Sequence, residues 1–214
     1  MKFLYRWLII LLIAVPARAT AQPPAVDTNG YFPLDIPHTY TMFNGSNMVQ
    51  YEFRGKVKID NGMQYLLAKN QIGSGVKKEV YTIQTNGDIF YLGFVAADGN
   101  KLIRGKFPVL QLKRQMELGK AYWVEDLDRD IGKVTLTLKK IQNIKLKKVF
   151  KKCLVVEKYT RFDKKINPES MDMKDTYYYA KNIGIIMQES VVYRMKNGKL
   201  VQDGTVMREW IHTP

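Results

Sequence analysis

The chain reads as mostly β: one large curved antiparallel sheet, a half-barrel or open barrel of about ten strands, with at most one or two short helices. Three observations predict this. The composition is rich in Tyr, Val, Ile, Phe and Thr, the residue types that fit a pleated, half-buried surface. The run Tyr51-Glu52-Phe53-Arg54-Gly55-Lys56-Val57-Lys58-Ile59 is apolar at nearly every odd position and charged at the even ones. That is the period of a strand with one buried and one wet face. Asn-Gly or Asp-Gly pairs recur at 61–62, 86–87, 98–99 and 197–198, supplying the positive φ that tight hairpin turns require.

In chain order, the first segment is an export signal. Lys2 and Arg6 precede the apolar run 7–15, and Pro16 is followed by the small-x-small sites Ala17-Arg18-Ala19 and Ala19-Thr20-Ala21. Residues 1–21 are therefore expected to be a cleaved signal peptide. The run is too short for a permanent anchor, and no later stretch approaches the roughly 18 apolar residues of a spanning helix. Thr20 or Gln22 follows the cleavage site where a lipidated protein needs cysteine. The expectation is a soluble, unlipidated protein, periplasmic or extracellular, with no transmembrane anchor. The single cysteine, Cys153, leaves no intramolecular disulfide. Beside Leu154, Val155 and Val156 it reads as a small buried apolar residue, with a reactive or bridging thiol as the alternative.

Residues 22–30, with Pro23-Pro24 and Asn29-Gly30, form a flexible leader, and 31–214 form one β-rich domain. Strand 51–59 turns at Asp60-Asn61-Gly62 into 63–69. Asn86-Gly87 joins 80–84 to 89–92, and Asp98-Gly99 leads into 101–103. The segment 107–118 is the one place with helical possibilities, since Leu110, Leu112, Met116 and Leu118 fall loosely on one side, but Pro108 limits it and Gly119 ends it. Extended runs follow at 121–124, 133–144, 149–162, 175–180, 183–195 and 200–211. A faint echo between Phe32-Pro33-Leu34 before Tyr40 and Leu110-Gln111-Leu112 before Tyr122-Trp123 suggests two halves of one sheet.

The formal charge is +14. Cleavage would remove Lys2, Arg6 and Arg18 and leave about +11. Export removes nucleic acid as the partner of such a surface and leaves anionic headgroups, acidic glycans or an acidic envelope protein, besides plain solubility.

Four segments carry a family resemblance. Tyr31-Phe32-Pro33-Leu34 resembles the Y-F-P-L opening of a broad group of uncharacterised exported bacterial proteins that continue with a glycine turn and W-x-Y. Gly119-Lys120-Ala121-Tyr122-Trp123 resembles that group's G-x-x-W turn, the run 149–156 its strand bearing a cysteine, and the run 178–186 its closing Y-Y-A-x-G-V-G-L signature. Pro37-His38 replaces the first glycine turn, Tyr40 lacks its tryptophan partner, and Asn182 stands for the glycine before Ile183. The resemblance implies a sheet curled toward a half-barrel, similar to the periplasmic lipoprotein carriers LolA and LolB. It implies no activity.

Chemistry-bearing motifs are sparse. The two histidines, His38 and His212, have no ligand-spaced partner, which argues against zinc. Ile72-Gly73-Ser74-Gly75 lacks the geometry of a nucleophile elbow. Asp126, Asp128 and Asp130 space like the start of a calcium loop, yet the glycine is one place late and Thr137 stands where the bidentate glutamate belongs. Glu189 is the one charge along Ile183, Ile185, Met187, Glu189, Val191, Tyr193 and Met195. It marks either a ligand site or a bulge that turns it outward. Lys145, Lys147, Lys148, Lys151 and Lys152 are either a basic hairpin tip for an anionic surface or a solvated turn.

The reading that follows is a non-enzymatic extracytoplasmic binding or carrier module needing no cofactor. Tyr51, Phe53, Tyr81, Ile83, Met187, Glu189 and Tyr193 would line a concave face for an apolar or lipid-like ligand. A structural component of an envelope assembly is the alternative. A carboxylate hydrolase comes third, because no paired acids emerge.

Overall fold

The computed structural model describes residues 24–60, 62–71, 75–96, 101–124, 131–162, 171–196 and 199–212. The expected signal segment and the calcium candidates Asp126, Asp128 and Asp130 lie outside the described residues. Among the described residues fourteen strands form and no helix. None is therefore long and apolar enough to cross a membrane.

The strands are β1 (Val26–Asp27), β2 (His38–Phe43), β3 (Met48–Ile59), β4 (Gly62–Gln71), β5 (Gly75–Ile83), β6 (Ile89–Val95) and β7 (Leu102–Leu112) in the first half. The second half holds β8 (Gln115–Met116), β9 (Ala121–Val124), β10 (Ile131–Lys145), β11 (Val149–Phe162), β12 (Asp172–Ala180), β13 (Gly184–Lys196) and β14 (Lys199–Ile211). Twelve of them make one antiparallel sheet in the order β7-β6-β5-β4-β3-β2-β14-β13-β12-β11-β10-β9, while β1 and β8 pair separately. The sheet is thus two six-strand meanders, β2–β7 and β9–β14, joined where Trp210 meets Phe43 and Ile211 meets Met42. It does not close into a barrel. Its free edges, β7 and β9, both come from the middle of the chain.

The hairpins form where glycine and asparagine permit. Ile59 pairs with Gly62, and Asp60, after Ile59, has φ 50°, while Gly87 takes φ 84° in the β5–β6 connection. Asn182 takes φ 62° between β12 and β13. Asparagine tolerates that left-handed conformation, so the turn forms without a glycine there.

Segment 107–118 is strand rather than short helix. Its first part belongs to β7, whose outer side has no strand partner in the sheet. An edge strand accommodates Pro108, which lacks the N–H that a central strand would need.

Bulges redistribute the apolar residues. In β3 the register shifts between Phe53 and Lys56, at Gly55 with φ 69°. An extra residue inverts the alternation beyond it. Tyr51 and Phe53 enter the main core, while Val57 and Ile59 join a second cluster with Leu66, Val80, Leu92, Val95 and Leu102 on the opposite face.

The main core fills one end of the concave face with the chain's own residues. Tyr31, Phe32 and Leu34, in the irregular segment before β2, are buried with Leu112 and Met116. Phe32 meets the rings of Phe53, Tyr81 and Tyr179 edge-on, with centroids 5.4, 5.3 and 6.0 Å away. One side chain therefore binds β3 and β5 of the first half to β12 of the second. The Tyr31 hydroxyl donates to the Lys152 carbonyl at 2.7 Å, and the Asn182 N–H donates to the Gly30 carbonyl at 2.6 Å. Together they hold this strap across the sheet.

Candidate functional site

The rest of the concave face carries a band of buried polar groups. Glu79 in β5 stands on the same side of its strand as Tyr81, and Lys69 of β4 and Lys77 of β5 reach its carboxylate at 2.9 and 3.1 Å. The Tyr81 hydroxyl donates to it at 2.7 Å. Burial alone would raise the Glu79 pKa, but the two ammonium groups and the phenol outweigh it and hold the carboxyl below the usual range. The Tyr81 hydroxyl moves the other way, well above the phenol range, first by burial and then by the adjacent carboxylate.

Across the β2–β14 junction, the Tyr51 hydroxyl donates to Glu209 at 3.0 Å. Glu209 pairs in register with Gln188, and Gln188 with Tyr177. The next row of the sheet sets Lys158, Asp175 and Ser190 side by side. The Ser190 hydroxyl donates to Asp175 at 2.5 Å. Burial raises the Asp175 pKa despite that bond and the nearby Lys158 charge. Burial likewise lowers the Lys158 pKa, Asp175 and Glu79 restoring only part of the shift.

These groups bound two connected spaces. A cleft of about 580 Å³ is lined by the apolar Val49, Val76, Phe94 and Val95 and by the polar Lys69, Lys77, Glu79, Gln188 and Glu209. An inner pocket of about 190 Å³ shares Lys69, Lys77, Glu79 and Gln188 and adds Tyr91, Lys158 and Tyr177. Val76 and Phe94 are exposed at the mouth of the cleft. Among the described residues, no group of three His, Cys, Asp or Glu side chains could hold a metal ion.

The residues expected to line the concave face are divided by the structure. Tyr51 lines the cleft and Tyr81 the inner pocket. Phe53 is wholly packed against Phe32 and His38, and Ile83 packs toward the strap. Met187, Glu189 and Tyr193 alternate with the buried Ile186, Gln188 and Ser190 and so stand on the other face. There Arg208 meets Glu189 at 2.6 Å, the Tyr178 hydroxyl lies 3.5 Å from it, and the Lys174 ammonium lies 5.5 Å from the Tyr193 ring.

Lys145, Lys147, Lys148, Lys151 and Lys152 are brought together and exposed around the β10–β11 turn, beside the exposed side chains of Ile141 and Val149. Lys147 reaches the His212 ring at 3.3 Å. Cys153 is fully buried and free, its thiol 3.4 Å from the Phe150 carbonyl.

Sequence reasoning missed Lys69, Glu79, Lys158, Gln188 and Glu209. Lys158 had a readable signal. In Leu154, Val156, Lys158 and Thr160 it is the lone charge on an apolar face, the pattern that singled out Glu189.

No protein-family model matches the chain, and no curated protein does. A crystal structure of a "putative lipoprotein" from Parabacteroides distasonis is similar at 14% identity and a TM-score of 0.37, over 86% of this chain and 97% of that one.

Proposed function

We propose that the protein is an extracytoplasmic binding or carrier module whose cleft takes an amphiphile. The observation that carries this reading is the mixed lining of the cleft, where the apolar Val49, Val76, Phe94 and Val95 share one space with Lys69, Lys77 and Glu79. A purely apolar ligand deep in the sheet would compete with Tyr31, Phe32 and Leu34, which occupy that end. An amphiphile instead lays its chain on the apolar residues and leaves its head against the lysines, keeping both kinds of lining satisfied. A volume of about 580 Å³ suits one small ligand.

Calorimetric titration with a homologous series of alkyl carboxylates from six to fourteen carbons tests it. Affinity should climb by about 0.8 kcal/mol for each methylene that reaches the apolar residues, then level off when they are covered. Phe94→Asp should remove most of that climb. Affinity independent of chain length, or the same climb in the Phe94→Asp protein, would overturn the reading.

A second element of the proposal concerns delivery. The five exposed lysines at the β10–β11 turn, with the exposed Val149 among them and Ile141 farther along β10, suit an anionic lipid surface. Each lysine near such a surface is worth about 1 kcal/mol. Cosedimentation with vesicles containing anionic phosphatidylglycerol should therefore fall steeply in a variant with Lys147, Lys148 and Lys151 replaced by Gln. Equal sedimentation of the two proteins would sink it.

A further inference from the structure

The inner pocket contains donors without acceptors. The Lys158 ammonium, the Tyr177 hydroxyl and the Gln188 amide all line it, and none has a hydrogen-bond or ion-pair partner among the described residues. The contrast with their neighbours is sharp. Glu79 is engaged by Lys69, Lys77 and Tyr81, Glu209 by Tyr51, and Asp175 by Ser190.

An ammonium group held out of water without a partner is costly unless something of opposite charge joins it. Among the described residues none forms an ion pair with Lys158. Glu79 already faces two lysines, and Asp175, the register neighbour of Lys158, accepts from Ser190 and is itself pushed toward its neutral form by burial. Among the described residues that line the pocket, Lys158 is the cation without an ion-pair partner. At about 190 Å³, and with a water occupying about 30 Å³, the pocket has room for a small anionic head and a few waters.

We infer that the inner pocket is an anion subsite, in which a carboxylate or phosphate head sits on the Lys158 ammonium and accepts hydrogen bonds from the Tyr177 hydroxyl and the Gln188 amide. This rests on the amphiphile reading for its chain-bearing cleft, which opens into the pocket through Lys69, Lys77, Glu79 and Gln188. It adds what that reading leaves open, the chemistry of the head. Charge-assisted bonds to a desolvated ammonium discriminate strongly between an anion and a neutral hydroxyl.

Two measurements on the whole protein separate the subsite from the cleft. In the first, acetate and inorganic phosphate are titrated while the Gln188 side-chain amide is followed by NMR. A saturable shift that vanishes in Lys158→Met and persists in Lys158→Arg is expected. No saturable shift with either anion, or an unchanged shift in Lys158→Met, overturns the subsite whatever amphiphiles do. The anion that gives the tighter saturation identifies the head.

In the second, decanoate, decyl phosphate and 1-decanol are titrated calorimetrically. At least one anionic ligand should bind about tenfold or more tighter than decanol, and Lys158→Met should erase that margin while leaving decanol binding in place. Equal binding of all three overturns the subsite. If the small anions shift Gln188 and no decyl ligand binds, the amphiphile reading fails and the subsite stands. Lys158→Met removes an unpaired amine and keeps the side-chain length, so its thermal midpoint should equal or exceed that of the parent. That midpoint certifies that the variant is folded.

Discussion

Replacing Phe32 by alanine probes the strap that closes one end of the concave face. The ring is 3% exposed and touches Phe53, Tyr81 and Tyr179, from strands in both halves of the sheet. Losing its burial removes about 1.5–3 kcal/mol of transfer free energy. The cavity left behind and the lost edge-to-face geometry raise the total to about 3–5 kcal/mol, the usual range for a buried Phe→Ala change. Urea denaturation followed by tyrosine and tryptophan fluorescence measures it. With a slope of about 2–3 kcal/mol/M the midpoint should fall by roughly 1–2 M. Ile36→Ala, in the same strap but exposed, should stay within about 0.5 kcal/mol of the parent. A midpoint for Phe32→Ala within about 0.3 M of the parent, at unchanged slope, would refute the claim that the strap is an integral part of the core.

Gly93 has φ 143°, and a Cβ there would lie 2.1 Å from the Ile103 carbonyl oxygen. Gly93→Ala should therefore break the β6–β7 pairing and cost more than about 3 kcal/mol by denaturation. Asn182→Ala should destabilise by about 1–2 kcal/mol, the left-handed penalty, and Asn182→Gly by much less, both read as thermal midpoints. Glu79 has a folded pKa below its unfolded value, so its contribution is fully present above about pH 4.5 and is lost as the pH falls through the folded value. In denaturation curves taken between pH 7 and pH 3, the parent should lose its advantage over Glu79→Gln as the pH falls. A constant gap across that range would contradict the assignment.

Much of the sheet is legible in the residues that force it. The alternation through Tyr51 and Phe53, the Asp60 turn and the Asn86-Gly87 turn each impose a local geometry, and the meander follows by stacking hairpins. Legibility fails where period two has more than one solution. Ile185 and Ile186 are both buried, so the apolar pattern of β13 does not say which face turns inward, and the bulge between Tyr178 and Tyr179 decides it. With that choice Gln188 faces the pocket and Glu189 pairs with Arg208.

The bulge at Gly55 acts in the same way on Val57 and Ile59. Pro108 read as a limit on a helix because nothing local announces that its strand will be an edge. The strap was hidden for a different reason. Tyr31, Phe32 and Leu34 belong to no regular element, and their burial comes from long-range packing against strands far along the chain. The polar band has the same origin, since Lys69 and Glu79 of one meander share a pocket with Lys158 and Gln188 of the other, far along the chain.

The most direct test of the central claim is to map dodecanoate onto the backbone amides of the protein by NMR titration. The account predicts saturable shifts concentrated at Val49, Val76, Phe94, Val95 and Gln188, with the amides of Tyr31, Phe32 and Leu34 undisturbed. Shifts centred on the strap, or none that saturate, would contradict it.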